Sequence, residues 1–157
     1  MKTDFTIRNA QHSDIQMLIE LLRALFSIEE DFVFDEEKQR QGLEMMLEDQ
    51  KNRCIFIAEF EQQVVGMISG QTLVSTAEGG ISVLVEDVVI DQNYRRQGIG
   101  RELISVIESW AFQKGARRLQ LLADINNSSA LAFYKQLNWS NTRLMCLQKK
   151  DIQNIRL

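Results

Sequence analysis

The chain has 157 residues, 45% hydrophobic and 25% charged, a balance that fits one soluble globular domain with a single core. A net charge of -4 and a pI near 5.1 argue against a nucleic-acid-binding surface, and no apolar run approaches the roughly 20 residues a membrane-spanning helix requires. The amino-terminal stretch carries no apolar leader, so a cytoplasmic location is expected; the solitary His12 leaves almost no material for a zinc site, and Cys54 and Cys146, each in an apolar run, read as buried thiols.

Residues 3–8 alternate as a first strand, and Ser13 followed by Gln16 resembles a capping box that opens a helix. Ile15, Leu18, Ile19, Leu22, Leu25 and Phe26 then recur at helical spacing, which predicts one buried face and an end near Ser27. An acidic stretch with Glu29, Glu30, Asp31, Asp35, Glu36 and Glu37 flanks Phe32, Val33 and Phe34. A second helix is expected over residues 35–50, with Leu43, Met46 and Leu47 inward.

Residues 54–60 and 64–74 read as two strands joined by a short antiparallel turn at Glu61, Gln62 and Gln63. After Gly79-Gly80, residues 81–90 are rich in β-branched side chains and predict a central strand. Residues 98–114 return to helical spacing through Ile99, Leu103, Val106, Ile107, Trp110 and Ala111, with Gly115 as a left-handed cap. A strand over 118–123, a shorter helix over 128–137 and a last long strand over 139–149 complete the order, with Trp110 and Trp139 assigned to the core. The plan is mixed α/β in a single domain: the hairpins before Ile90 imply antiparallel pairing, and the strand-helix alternation after it implies parallel pairing.

Chemistry concentrates in two places. Arg95-Arg96-Gln97-Gly98-Ile99-Gly100 leads from a strand into a helix whose first N–H groups lack intrahelical partners, and such a start attracts an anion. The glycines allow close approach and the arginines add charge, a set better suited to a small phosphorylated ligand than to a duplex. The dinucleotide fingerprint would need a glycine where Leu103 stands, and the Gly-Lys-Ser/Thr of a P-loop is absent. The other place is Glu86, a carboxylate inside an apolar run, where desolvation would raise its pKa toward a working range. Its alternative role is to pair with a base or cap a bulge. Asp87 would face the opposite side of a regular strand, in a structural role.

Arg95-x-x-Gly98-x-Gly100 after the strand 83–90 resembles the acetyl-CoA motif of the GNAT N-acetyltransferase superfamily. Asn127-Ser128-Ser129-Ala130-Leu131-Ala132-Phe133-Tyr134 resembles that family's later helix motif, and the order of elements is similar from about residue 3 to residue 149. Asn138-Trp139 stands where the family usually has Gly-Phe, a mild change because Asn also accepts a left-handed helix cap.

The resemblance implies a mixed sheet of about six to seven strands flanked by about four helices, with the central strand splayed to hold acetyl-CoA. It implies that the backbone of Val88, Val89 and Ile90 pairs with the pantetheine arm. Arg95, Arg96, Gln97, Gly98, Ile99, Gly100 and Arg101 would hold the pyrophosphate, and Asn127 would bond the pantetheine. Tyr134 would protonate the thiolate and Glu86 would act as the base toward a primary amine, with no metal. In this family the first two helices and the loop between them wall the acceptor groove, which brings residues 27–35 near a small-molecule or peptide amine. Two other readings stay open: a non-catalytic acyl-CoA-binding regulatory module, and a protein lysine or N-terminal acetyltransferase. Dimers are frequent in the resembled family, and the last strand with residues 151–157 would be candidates for the contact.

Overall fold

The computed structural model describes residues 4–154, so Thr3 of the first expected strand and residues 155–157 of the tail lie outside the described residues. The chain divides into two compact units, Met1–Leu121 and Leu122–Leu157.

In the first unit five strands form one sheet in the order β1 (Thr6–Asn9), β2 (Arg53–Phe60), β3 (Gln63–Ser75), β4 (Gly80–Ile90) and β5 (Arg118–Leu121). The first three pairings are antiparallel and β4–β5 is parallel, as the two halves of the sequence imply. The β2–β3 turn has positive φ at both Glu61 and Gln62, the torsions of a two-residue turn whose twist matches the strands it joins.

Helices α1 (Ile15–Phe26) and α2 (Glu36–Glu48) cover one face of the sheet and α3 (Ile99–Gln113) covers the other. Period-two alternation divides the strands between them. Ile55, Ile57, Met67 and Val89 join Leu18, Ile19, Leu22, Leu43 and Leu47 in one buried cluster. Gly70, from the other face of β3, lies so close to α3 that a Cβ there would stand 2.7 Å from Ile107 Cδ1. Of the α3 positions read from the sequence, Ile99, Leu103, Ile107 and Ala111 are buried and Val106 is half-buried, while Ile104, which that reading left out, is buried with them.

The start of α1 differs from expectation. A 3-10 turn over His12–Asp14 precedes it, and the capping bond runs from the Gln11 N–H to Asp14 Oδ2 at 2.7 Å instead of through Ser13 and Gln16. Asp14 is buried, and Arg8 grips it with Nη1–Oδ2 at 2.8 Å and Nη2–Oδ1 at 2.9 Å while also bonding Glu59. The long-range ion pair selects the cap, which local spacing does not reveal.

The second unit holds α4 (Ser128–Gln136), capped by the Asn127 side chain accepting from the Ala130 N–H at 3.1 Å. Asn138 has φ of 67°, the left-handed cap expected of it. The expected last strand over 139–149 does not form, so the described residues contain five strands instead of six or seven. A strand is defined by its ladder to a partner, and residues 139–149 enter no ladder among the described residues. Leu144, Met145 and Leu147 are exposed there, and Cys146 is exposed with them, which corrects its reading as a buried thiol. Cys54, in β2, is buried as expected. Trp110 and Trp139 are only half-buried. No helix among the described residues is long and apolar enough to cross a membrane.

Candidate active site

The centre of the sheet is irregular where the sequence places Glu86 and Asp87. Met67 of β3 stands opposite Val89, but Ser69 stands opposite Glu86, so Ile68 faces both Asp87 and Val88. This is a β-bulge, two residues against one. Asp87 absorbs it with φ of 53°, a left-handed conformation that Asp tolerates better than most side chains.

The bulge cancels the alternation of a regular strand. Asp87 therefore shares the α1/α2 side with Glu86 and does not turn away from it: Ser69 Oγ donates to Asp87 Oδ2 at 3.2 Å, and both carboxylates border one cleft of about 340 Å³. Its apolar lining includes Leu22 and Phe26 of α1 with Leu43 and Met46 of α2; Lys38 and Arg53 are its cations.

The two acids differ in environment. Glu86 is exposed, so the desolvation expected of it is not found there. It falls on Asp87 instead: burial, then the neighbouring Glu86 charge, pushes its pKa from 3.8 to about 6, against a smaller lowering by the Ser69 hydrogen bond. Asp87 keeps a little surface toward the cleft while protein surrounds the rest of its carboxylate.

Along β4 the ladder to β5 runs from Ser82–Arg118 to Val85–Leu121 and stops. Beyond it, Glu86 to Ile90 continue as an edge with no strand beside it among the described residues, which leaves backbone groups near Val88, Val89 and Ile90 for an extended ligand. Two hydrogen bonds already anchor this stretch: Asp91 N–H to Val65 C=O at 2.8 Å and Arg95 Nε to Ile90 C=O at 3.1 Å.

At the end of that edge, α3 begins. Gly98 caps it at φ of 87°, and Arg96 also takes positive φ, 64°, which the sequence did not signal. No hydrogen bond within the described residues engages the N–H groups of Ile99, Gly100 and Arg101, and Arg96, Gly98 and Arg101 are exposed. A Cβ at Gly98 would meet nothing within 4 Å, so open space lies over the helix start. Donors, positive dipole end and arginines together fit a pyrophosphate. Gln97 bonds Asn93 C=O through Nε2 at 3.5 Å.

The remaining sequence-predicted residues lie in the second unit. Asn127 uses one lone pair of its side-chain oxygen on the α4 cap, which leaves its amide N–H groups and a second lone pair for a ligand. Tyr134 is half-buried, its ring 5.3 Å from that of Phe133 and 6.1 Å from that of Trp139.

Residues 15–139 match the Acetyltransferase (GNAT) family. The chain belongs to the GNAT acetyltransferase family. This GNAT chain is 26% identical over 157 aligned residues to an N-alpha-acetyltransferase of Saccharolobus solfataricus, covering 90% of this chain and 84% of that one. It is 22% identical over 142 residues to an uncharacterized N-acetyltransferase of Methanocaldococcus jannaschii, covering 90% of this chain but only 63% of the relative's own length. Its fold matches the crystal structure of a possible acetyltransferase from Clostridium difficile with a TM-score of 0.81, 21% identity, and coverage of 94% and 98%. GNAT enzymes take acetyl-CoA as acyl donor, a substrate whose pyrophosphate and pantetheine suit the free start of α3 and the unpaired edge of β4.

Sequence reasoning missed Ser69 and the orientation of Asp87. The only local signal was an acidic pair in an apolar strand, and neither residue reveals which β3 partner it will meet.

Proposed function

We propose that the chain is an acetyl-CoA-dependent N-acetyltransferase that acylates a primary amine by direct attack within a ternary complex. The observation that carries this reading is the bulge of β4. It turns two carboxylates into an apolar cleft on the stretch of strand whose other edge is free for the donor.

An alkylamine with a pKa of about 10.4 is almost wholly protonated at pH 7 and cannot attack a thioester until a proton is removed. The Glu86–Asp87 pair takes that proton. Nitrogen then attacks the carbonyl carbon, the C–S bond breaks, and the thiolate leaves with a proton for which Tyr134 is the proposed donor, on the strength of its motif. The exposed arginines and free N–H groups at the start of α3 bind the pyrophosphate, Val88 to Ile90 pair with the pantetheine arm, and Asn127 bonds it. The apolar lining of the cleft favours an amine carried on an apolar chain, a small molecule first.

A peptide amine is the second reading, favoured by the likeness to the Saccharolobus N-alpha-acetyltransferase. A regulatory module that only binds acyl-CoA has less support, because it has no use for a buried carboxylate in a strained bulge. Thiol release from acetyl-CoA, measured across n-alkyl primary amines, diamines and short peptides, tests the reading. Amine-dependent release is expected; tight acetyl-CoA binding without it would mark the regulatory module. Unchanged kcat in both Glu86→Gln and Tyr134→Phe would remove the roles given to those side chains.

A further inference from the structure

Within the acidic pair, one carboxylate is fixed and the other is not. Asp87 is anchored by the bulge and by Ser69 Oγ at 3.2 Å, while Glu86 is exposed and makes no ion pair among the described residues. A proton acceptor works when its position is set before the substrate arrives and water around it is scarce. We infer that Asp87, and not its neighbour Glu86, takes the proton from the incoming ammonium, with Ser69 as the positioning residue that holds its carboxylate at the cleft. The inference rests on the acetyltransferase reading above.

The cleft's electrostatics are consistent with this division. From β4 it receives Glu86 and Asp87, from β2 Arg53, and from α2 Lys38; α1 contributes only Leu22 and Phe26, and β3 contributes the uncharged Ser69 and Gln71. Arg53 Nη1 is committed to Met45 C=O at 2.8 Å, and Lys38 Nζ lies 4.0 Å from Asp35. Neither forms a salt bridge with Asp87, and the charge that acts on it is that of Glu86. Exposed Glu86 draws a cationic amine to the mouth, and Asp87, which keeps only a little surface there, receives its proton.

The step balances. R–NH3+ gives one proton to the Asp87 carboxylate, which later passes it to solvent. The freed nitrogen lone pair forms the C–N bond as the thioester C–S bond breaks, and the second ammonium proton lost from nitrogen is matched by the one gained at sulfur. The products are the amide, the free thiol and one proton.

The neighbours make the inference testable through the pH profile. The acidic limb of kcat/KM should titrate near 6, the value to which burial and Glu86 push Asp87. The Ser69 bond lowers that value and the Glu86 charge raises it, so their removal should displace the limb in opposite directions.

The experiment measures thiol release from acetyl-CoA with hexylamine and with a lysine-containing peptide over pH 5–9, for wild type, Asp87→Asn, Ser69→Ala and Glu86→Gln. Asp87→Asn should lower kcat/KM by about 10²- to 10⁴-fold and remove the limb while still binding acetyl-CoA. Ser69→Ala should move the limb upward, and Glu86→Gln should move it downward with a smaller loss of rate. An Asp87→Asn variant within about threefold of wild type with the same limb overturns the assignment, as does a limb that vanishes in Glu86→Gln. A wild-type protein that binds acetyl-CoA but releases no thiol with either amine overturns the acetyltransferase reading itself.

Discussion

Substituting Asp87 with asparagine removes a charge from the bulge of β4 with little change of shape, so the variant isolates what burying that charge costs. Asparagine accepts positive φ at least as well as aspartate, and its amide oxygen can still receive the Ser69 hydroxyl. Burial and the Glu86 charge push the wild-type carboxyl from an ordinary 3.8 to about 6, and each tenfold change in proton affinity is worth about 1.36 kcal/mol. This sets an upper limit of about 3 kcal/mol, and the surface Asp87 keeps toward the cleft brings the expected gain to about 1–3 kcal/mol.

The sign follows from proton binding. The folded state holds this proton more tightly than the unfolded state, so the Asp87 contribution is most favourable below about 3.8 and is lost as pH rises through about 6. Asp87→Asn should therefore match wild type near pH 4 and exceed it in stability at pH 7 to 8. Urea unfolding followed by circular dichroism at pH 4, 5, 6, 7 and 8 measures the difference. A difference that does not vary with pH, or a variant less stable than wild type at pH 7, refutes the reasoning. A gain in stability together with a loss of turnover would mark the bulge as a site where activity is kept at the expense of stability.

Asp14 behaves in the opposite sense, because the Arg8 guanidinium holds its pKa below the ordinary range. Its contribution is present above the unfolded value and disappears as pH falls through the folded one; Asp14→Asn should cost about 2 kcal/mol at pH 7 in urea unfolding, narrowing below pH 4. Gly70→Ala should cost about 1–2 kcal/mol, since the new methyl would stand 2.7 Å from Ile107 Cδ1 and 3.3 Å from Cys54 Sγ in a close-packed layer. A thiol reagent such as DTNB should modify Cys146 at once and Cys54 only on unfolding, because burial pushes the Cys54 thiol up to about 12; Cys146→Ser should abolish the fast phase.

Helices α1, α2 and α3, the left-handed caps at Gly115 and Asn138, and the glycine-led start of α3 at Gly98 were legible in the sequence. Each is settled by hydrogen bonds and torsions within a few residues of chain, so spacing and cap chemistry suffice to read it. The two family motifs named the donor from the same kind of local information. Pairing is different, because a strand's hydrogen bonds belong to its partner. Residues 139–149 have an apolar pattern suited to a strand but enter no ladder among the described residues. Only the register of β3 against β4 decided that one residue would face two, that Asp87 would turn to the same cleft as Glu86, and that burial would fall on Asp87. By itself the sequence determined where an acidic pair and a glycine-led, arginine-flanked helix start would lie along the chain. The tertiary structure decided which acid is the more enclosed, because that depends on a register shift against residues nearly 20 positions away.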